Sequence, residues 1–321
     1  MTIASIAFGL LWFCHFSLAQ ILGCDAVNCP LDSQGSPQCT VGNSTARDIG
    51  IKDFNVQSGS EPLTWTIMVQ NLTSSGAIER DFFLGTPSNV SSQDHYRKDA
   101  CALFFEGVAP KIKFPGKDRE HDNGNCNDAL TKPCADDLLK QLQNQFDNGA
   151  HRDNRGRNSP DKLCRSLSEA IKYGAPKPCQ IASNGYWGDI VVRPLTGPGT
   201  APPLPKDTCY PTTGQNFNLS LVAANRIDIS RFNSSQLIDT LYGVTPIVTL
   251  AFAGSPQEAL TTVSLTCIKP VSPKLVSKSS DKTSISPLKA SPIVGRKGGF
   301  GYAELVGVAA WLVVHGTIMF T

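Results

Sequence analysis

The sequence predicts a mainly β, sandwich-like domain with a disulfide-stapled α-helical insertion, α+β overall. Three features predict it: period-two alternation in several short segments, two helical stripes confined to the middle, and an even set of widely spaced cysteines.

In Leu63–Gln70 the odd positions Leu63, Trp65, Ile67 and Val69 are apolar, the period of a half-buried strand, and Asn71 is expected in the turn that ends it. In Phe217–Val222, Phe217, Leu219 and Leu221 share one face and Asn218 points to the other. Further strands are expected at Ala46–Phe54, Ala77–Leu84, Cys101–Glu106, Asp189–Arg193, Thr245–Phe252 and Thr261–Ile268. In the last, Val263, Leu265 and Cys267 face one way, so Cys267 is expected in the core as half of a disulfide.

The middle of the chain changes period. Thr131 is placed to N-cap a helix with Pro133 in its first turn, and Cys134, Leu138, Leu142 and Phe146 recur every four residues before Asn148-Gly149. A second helix is expected from Ser159 as N-cap and Pro160 as first residue, with Leu163, Leu167 and Ile171 as its stripe and Gly174 at its end. Each helix carries a cysteine beside its stripe, which predicts stapling to the sheet. The intervening stretch from Asp147 to Asp161 is polar and reads as a surface loop.

The 321-residue chain holds 11 cysteines, of which Cys14 falls in an apolar leader. The rest are Cys24, Cys29, Cys39, Cys101, Cys126, Cys134, Cys164, Cys179, Cys209 and Cys267, with no C-x-x-C spacing. That set fits structural disulfides in an oxidising compartment better than zinc, and leaves the pairing open. Charged residues are only 17% and the net charge is +2, without the basic footprint that nucleic acid requires.

Residues 1–19 read as a signal peptide, the run Ile3–Leu18 ending in small residues at Ser17 and Ala19. The expected domain is 20–268, with its helical insertion at about 127–174. Residues 269–297 form a Ser/Pro/Lys-rich stalk containing Lys269, Lys274, Lys278, Lys282, Lys289, Arg296 and Lys297 against Asp281. Residues 298–321 read as a removable glycosylphosphatidylinositol (GPI) attachment signal, with Gly298 and Gly295 as attachment candidates. The apolar run from Leu305 is shorter than the roughly 20 residues of a membrane span, and Arg296 and Lys297 precede it. The expected address is therefore the outer face of the plasma membrane and the cell wall. Five N-x-S/T acceptors, at Asn43, Asn71, Asn89, Asn218 and Asn233, agree with a secreted glycoprotein.

Chemical signatures are sparse. Outside the leader and the C-terminal apolar run the histidines are His95, His121 and His151, all in hydrophilic stretches, and no hydrolase, zinc-protease or nucleotide motif occurs. Asp118, Glu120 and Asp122 have the spacing of a calcium loop, but Gly124 is one place late and Ala129 stands where glutamate is needed. A solvated turn stapled by Cys126 is the better expectation. Glu106, after Phe104-Phe105, is the most enzyme-like carboxylate, though a strand-end role before Gly107 is preferred. Tyr186 and Trp187 are candidates for sugar contact, with a core role the commoner fate for Trp187. No cofactor and no metal is implied.

The segments Gly23-Cys-Asp-Ala-Val-Asn-Cys-Pro30, Phe83-Leu-Gly-Thr-Pro87, Leu241-Tyr-Gly-Val-Thr-Pro246 and Leu265-Thr-Cys-Ile-Lys-Pro270 resemble an uncharacterised family of secreted, GPI-anchored surface glycoproteins of filamentous ascomycete fungi. The resemblance implies a wall-facing location and brings no catalytic residue. The eight-cysteine, iron-handling CFEM pattern of other fungal surface proteins is not matched. The expected function is thus a non-catalytic surface glycoprotein, structural or adhesive, tethered to the membrane by a lipid and touching wall polysaccharide or neighbouring glycoproteins. The rival expectations are a wall-carbohydrate hydrolase or transglycosidase with an unrecognised carboxylate pair and, with least support, a small-molecule or metal carrier.

Overall fold

The computed structural model describes residues 20–272, apart from 28, 31–32, 34–37, 42–43, 47, 56–61, 73–75, 88–99, 148–159, 197–199, 205–210, 214–217 and 253–259. Residues 1–19, expected to be a signal peptide, lie outside the described residues, as do the C-terminal run, Gly295, Gly298, Asn43, Asn89, His95, His151, Ser159 and Cys209.

Among the described residues ten antiparallel strands form three sheets. They are β1 (Cys39–Val41), β2 (Ser44–Ala46), β3 (Asp48–Phe54), β4 (Leu63–Leu72), β5 (Ala77–Thr86), β6 (Ala100–Phe105), β7 (Ile190–Pro194), β8 (Asn218–Asp228), β9 (Thr245–Phe252) and β10 (Leu260–Ile268). One four-stranded sheet has the order β3-β4-β5-β8 and the other β10-β9-β6-β7, with β1-β2 a small hairpin. The described residues also form five α-helices: α1 (Cys126–Leu130), α2 (Lys132–Asp147), α3 (Pro160–Lys172), α4 (Gln180–Ser183) and α5 (Ser234–Leu241). All but α5 lie between β6 and β7. Among the described residues no helix is long and apolar enough to cross a membrane.

The two large sheets pack face to face. Trp65, Ile67, Phe82 and Leu84 from one sheet meet Ala102, Phe104, Ile247 and Ala251 from the other. Trp65 crosses the interface, donating from Nε1 to Thr249 Oγ1 at 3.3 Å and packing edge-on to Phe104. Much of the outer face of each sheet is also covered. Cys101, Leu103, Phe105, Val248 and Leu250 turn away from the sandwich toward Leu138, Leu142, Leu167 and Ile171 of the helices. On the far side Ile49, Ile51, Met68 and Phe83 are covered by Cys24, Cys29, Cys39, Val41 and Ala46. Double coverage explains why β6 and β9 read as continuous apolar runs, the pattern of strands buried on both faces.

Four disulfides are described: Cys24–Cys29, Cys101–Cys164, Cys126–Cys267 and Cys134–Cys179. Cys39 is disulfide-bonded as well. Cys164 of α3 is stapled to Cys101 of β6, as its apolar stripe suggests, and Cys267 of β10 is half of a disulfide as expected, its partner being Cys126 on α1, a short helix where the sequence suggested a turn. Cys134 differs from expectation, joining α2 to the turn at Lys177–Cys179 instead of to a sheet.

Several sequence expectations need correction. Asn71 lies inside β4, opposite Ile78, and not in a turn. Leu221 is exposed, because the residues that cover Leu219 on that face do not reach it. The folded region also continues past Ile268: Val271 N donates to Ile49 O, and Lys269 is buried instead of belonging to a solvated stalk. Gly50 makes room for this extension, since a Cβ there would stand 1.8 Å from the Lys269 carbonyl oxygen.

On the outer face of β5, Asp81 shares a side with Met68 and accepts from Gln70 Nε2 at 2.6 Å. Burial raises its pKa from 3.8 to about 6, Gln70 opposing and Glu79 adding to the shift. The native carboxyl therefore holds its proton more tightly than the unfolded one. Its contribution to stability is complete below pH 3.8 and is lost as pH rises through about 6. Asp81→Asn is expected to stabilise the fold by about 1–2 kcal/mol at pH 8, allowing for solvent screening, with the gain vanishing by pH 3.5. Urea titrations at the two pH values check this; equal gains at both would contradict it.

Candidate functional site

Three places gather the residues that the sequence marks. The first surrounds Glu106. It follows β6 directly and turns inward between the sheets, where Arg80 of β5 and Asn225 of β8 face each other across the ladder. Arg80 is 0% exposed. Its Nη1 lies 3.7 Å from Glu106 Oε2, and its Nη2 donates to Gly243 O at 3.1 Å and Thr245 Oγ1 at 2.6 Å. Asn225 Nδ2 donates to the same Glu106 oxygen at 2.9 Å. Burial lowers the guanidinium pKa and Glu106 opposes that shift. Glu106 is thus the counter-ion of a buried arginine that ties the two sheets together, with Oε2 occupied by its partners.

The second place is the acidic stretch after β6. Its carboxylates surround Lys269, whose Nζ donates to Arg119 O at 2.6 Å and Glu120 O at 3.2 Å. Burial lowers the Lys269 pKa to about 8 against the opposing charges of Asp122, Asp118, Asp48 and Glu120. Tyr242 lies beneath, donating to Asp48 Oδ2 at 3.0 Å and sharing a 2.8 Å bond with Ser272. Its phenol is pushed above its usual range, chiefly by burial, then by Asp48. Asp118 also holds His121 at 2.7 Å. Asn125 and Asp128 form a reciprocal capping box on α1, so the stretch runs directly into a stapled helix. These carboxylates balance a buried lysine and cap a helix. Among the described residues no group of three or more His, Cys, Asp or Glu side chains is arranged to hold a metal ion.

A shallow depression beside this stretch is lined by Lys117, Asp118, Arg119, Glu120, Ser235, Ile238 and Asp239, and an Arg119–Asp239 ion pair crosses it.

The third place is the excursion from Lys172 to Trp187. Trp187 N donates to Lys172 O at 2.9 Å and Ala175 N to Gly185 O at 3.3 Å, which closes the neck. Gln141 Nε2 of α2 donates to Gly174 O at 2.6 Å, and Cys179 is bridged to Cys134. The turn needs left-handed backbone at Asn184 (φ 52°), Gly185 (φ 93°) and Gly188 (φ 69°), residue types that adopt it readily. Trp187 is 0% exposed and packs edge-on to Phe105 at 5.0 Å. The sequence expectation of a Tyr186–Trp187 sugar contact is therefore corrected at Trp187, whose ring sits in the core beneath the loop. Tyr186 is 49% exposed, and Tyr173, which the sequence did not single out, is 73% exposed.

Of the N-x-S/T asparagines, Asn233 N-caps α5: its side-chain oxygen accepts from Gln236 N at 2.9 Å, and Gln236 accepts from Asn233 N. Its amide nitrogen, the atom a glycan would take, is not used in that cap. Asn218 opens β8 half-buried and its Nδ2 approaches Pro87 O at 3.4 Å.

Comparison of the chain with protein-family models, with curated proteins and with solved structures finds no match in any of the three.

Proposed function

We propose that this protein is a lipid-tethered cell-surface glycoprotein, structural or adhesive, whose disulfide-braced domain contacts wall polysaccharide without chemically altering it. The observation that carries this reading is the engagement of Glu106. A glycosidase acid or nucleophile must face the scissile bond. Glu106 instead faces Arg80 and Asn225 between two packed sheets. A cross-linked domain offering exposed tyrosines on a rigid loop suits adhesion. The tether, the glycans at Asn43, Asn71, Asn89, Asn218 and Asn233, and attachment at Gly298 or Gly295 are part of the proposal and follow from sequence pattern.

Expression of the full chain in a fungal cell, followed by phosphatidylinositol-specific phospholipase C, tests it. The expected result is release of a glycosylated protein that then binds isolated wall material. Retention on the cells after treatment would overturn the tether, and failure of the released protein to bind would overturn the contact.

A further inference from the structure

The chain is held in place from Ile21 onward. Ile21 is 2% exposed, in the core cluster that also holds Ile112 and Phe114. One side chain takes both of its backbone groups: Ile21 N donates to Asn123 Oδ1 at 3.1 Å, and Asn123 Nδ2 donates to Ile21 O at 2.7 Å. Leu22 then pairs antiparallel with Ile51, donating to its carbonyl at 2.9 Å and accepting from its N–H at 2.8 Å, and Cys24–Cys29 closes the turn that follows. Gln20 stands just outside this clasp. It is exposed, and its side-chain amide has no hydrogen-bond partner among the described residues.

We propose that the mature chain begins at Gln20 and that this residue closes to a pyroglutamate, an assignment that rests on the secreted reading above. Signal peptidase cuts after a small residue with another small one two places before it, and Ala19 and Ser17 supply them. The cut frees the Gln20 α-amine, which titrates at about 8, so part of it is uncharged at neutral pH. In that form it attacks Cδ of its own side chain. The bond from the α-nitrogen to Cδ forms, the bond from Cδ to the side-chain nitrogen breaks, and ammonia leaves with the proton given up by the amine. The step consumes no oxidant, reductant or cofactor. The product is a five-membered lactam without the charge of a free terminus. The structure favours this closure, because the carboxamide gives up no protein hydrogen bond and its exposure leaves ammonia an open way out. It also shows what the ring protects. An aminopeptidase working from a free end would pass from Gln20 to Ile21, and removing Ile21 would take a buried side chain and both Asn123 bonds from the fold. A lactam at residue 20 denies that enzyme the amine it needs.

The test reads the N-terminus of the full chain expressed in a fungal cell. Protein is collected from both the membrane fraction and the medium, so that the result does not depend on the lipid tether. Edman degradation of the denatured protein should give no sequence until pyroglutamyl peptidase has removed one residue, and should then read Ile21, Leu22 and Gly23 in turn. The N-terminal peptide should be lighter than its unmodified form by the mass of one ammonia. Gln20→Ala should be read directly from its first residue, without the enzyme, and should lose that residue to an aminopeptidase that leaves the wild type intact. A direct wild-type reading of Gln20, Ile21 and Leu22 would overturn the ring while leaving secretion standing. A first residue elsewhere in the leader or the domain would overturn the assigned start. A Gln20→Ala chain that is also blocked would show a different blocking group and overturn the lactam. A chain that still carries Met1 and the whole leader would overturn both the ring and the secreted reading.

Discussion

Replacing Glu106 with alanine is expected to cost about 3–5 kcal/mol of folding stability, because it leaves a buried guanidinium without its counter-charge. Arg80 has no exposure to water, and its Nε and Nη1 find no hydrogen-bond acceptor among the described residues. The Glu106 carboxylate at 3.7 Å is what offsets its charge, and the Asn225 amide would lose its acceptor in the same change. Arg80→Met alone should cost about as much, since it strands the carboxylate instead. The double change Arg80→Met with Glu106→Leu should recover most of the loss, because an apolar pair suits the space between two packed sheets. Urea denaturation of the wild type, Arg80→Met, Glu106→Leu and the double variant gives the coupling energy directly. A Glu106→Ala loss below about 1 kcal/mol would show that the pair does not hold the sheets together.

The second large effect concerns the disulfides. Cys126 and Cys267 are 141 residues apart, and their bond joins the first helix of the insertion to the edge strand of its sheet. Serine at both positions should cost about 2–5 kcal/mol, because closing so long a loop removes much of the freedom of the unfolded chain. Cys24–Cys29 spans only 5 residues and should matter least of the four. Thermal melts of the paired serine variants give the order, and a larger loss from the short bridge would contradict the loop-entropy argument.

Alternation in the sequence reports side-chain chemistry and not which faces meet water. Leu63–Gln70 alternates because Thr64 and Thr66 are polar, yet both faces of the strand are buried: Thr64 bonds to Thr213 Oγ1 and Thr66 donates to Pro211 O. Ala100–Phe105 is apolar on both of its buried faces, and nothing in that run tells which neighbour covers which face. The long helices were legible from Leu138, Leu142 and Leu167. The short ones were readable too, had Asn125-x-x-Asp128 and Asn233-x-x-Gln236 been taken as capping boxes and not only as an acid cluster and a glycan acceptor. The partners of Lys269 and Glu106 were not legible. Lys269 meets the backbone of Arg119 and Glu120 about 150 residues upstream, and such long-range pairing leaves no local trace. Nor did the sequence tell which of Tyr173, Tyr186 and Trp187 meets water: the first two are exposed, and the third turns inward onto Phe105.

The most direct measurement for a surface protein that binds its polysaccharide without altering it is the appearance of new reducing ends when the full-length protein is incubated to saturation with β-glucan and chitin. The account predicts bound protein and a reducing-end count that stays at the level of the polymer alone over many hours. New reducing ends that rise with time, and are lost in Glu106→Gln while binding persists, would contradict it and assign catalysis to that carboxylate.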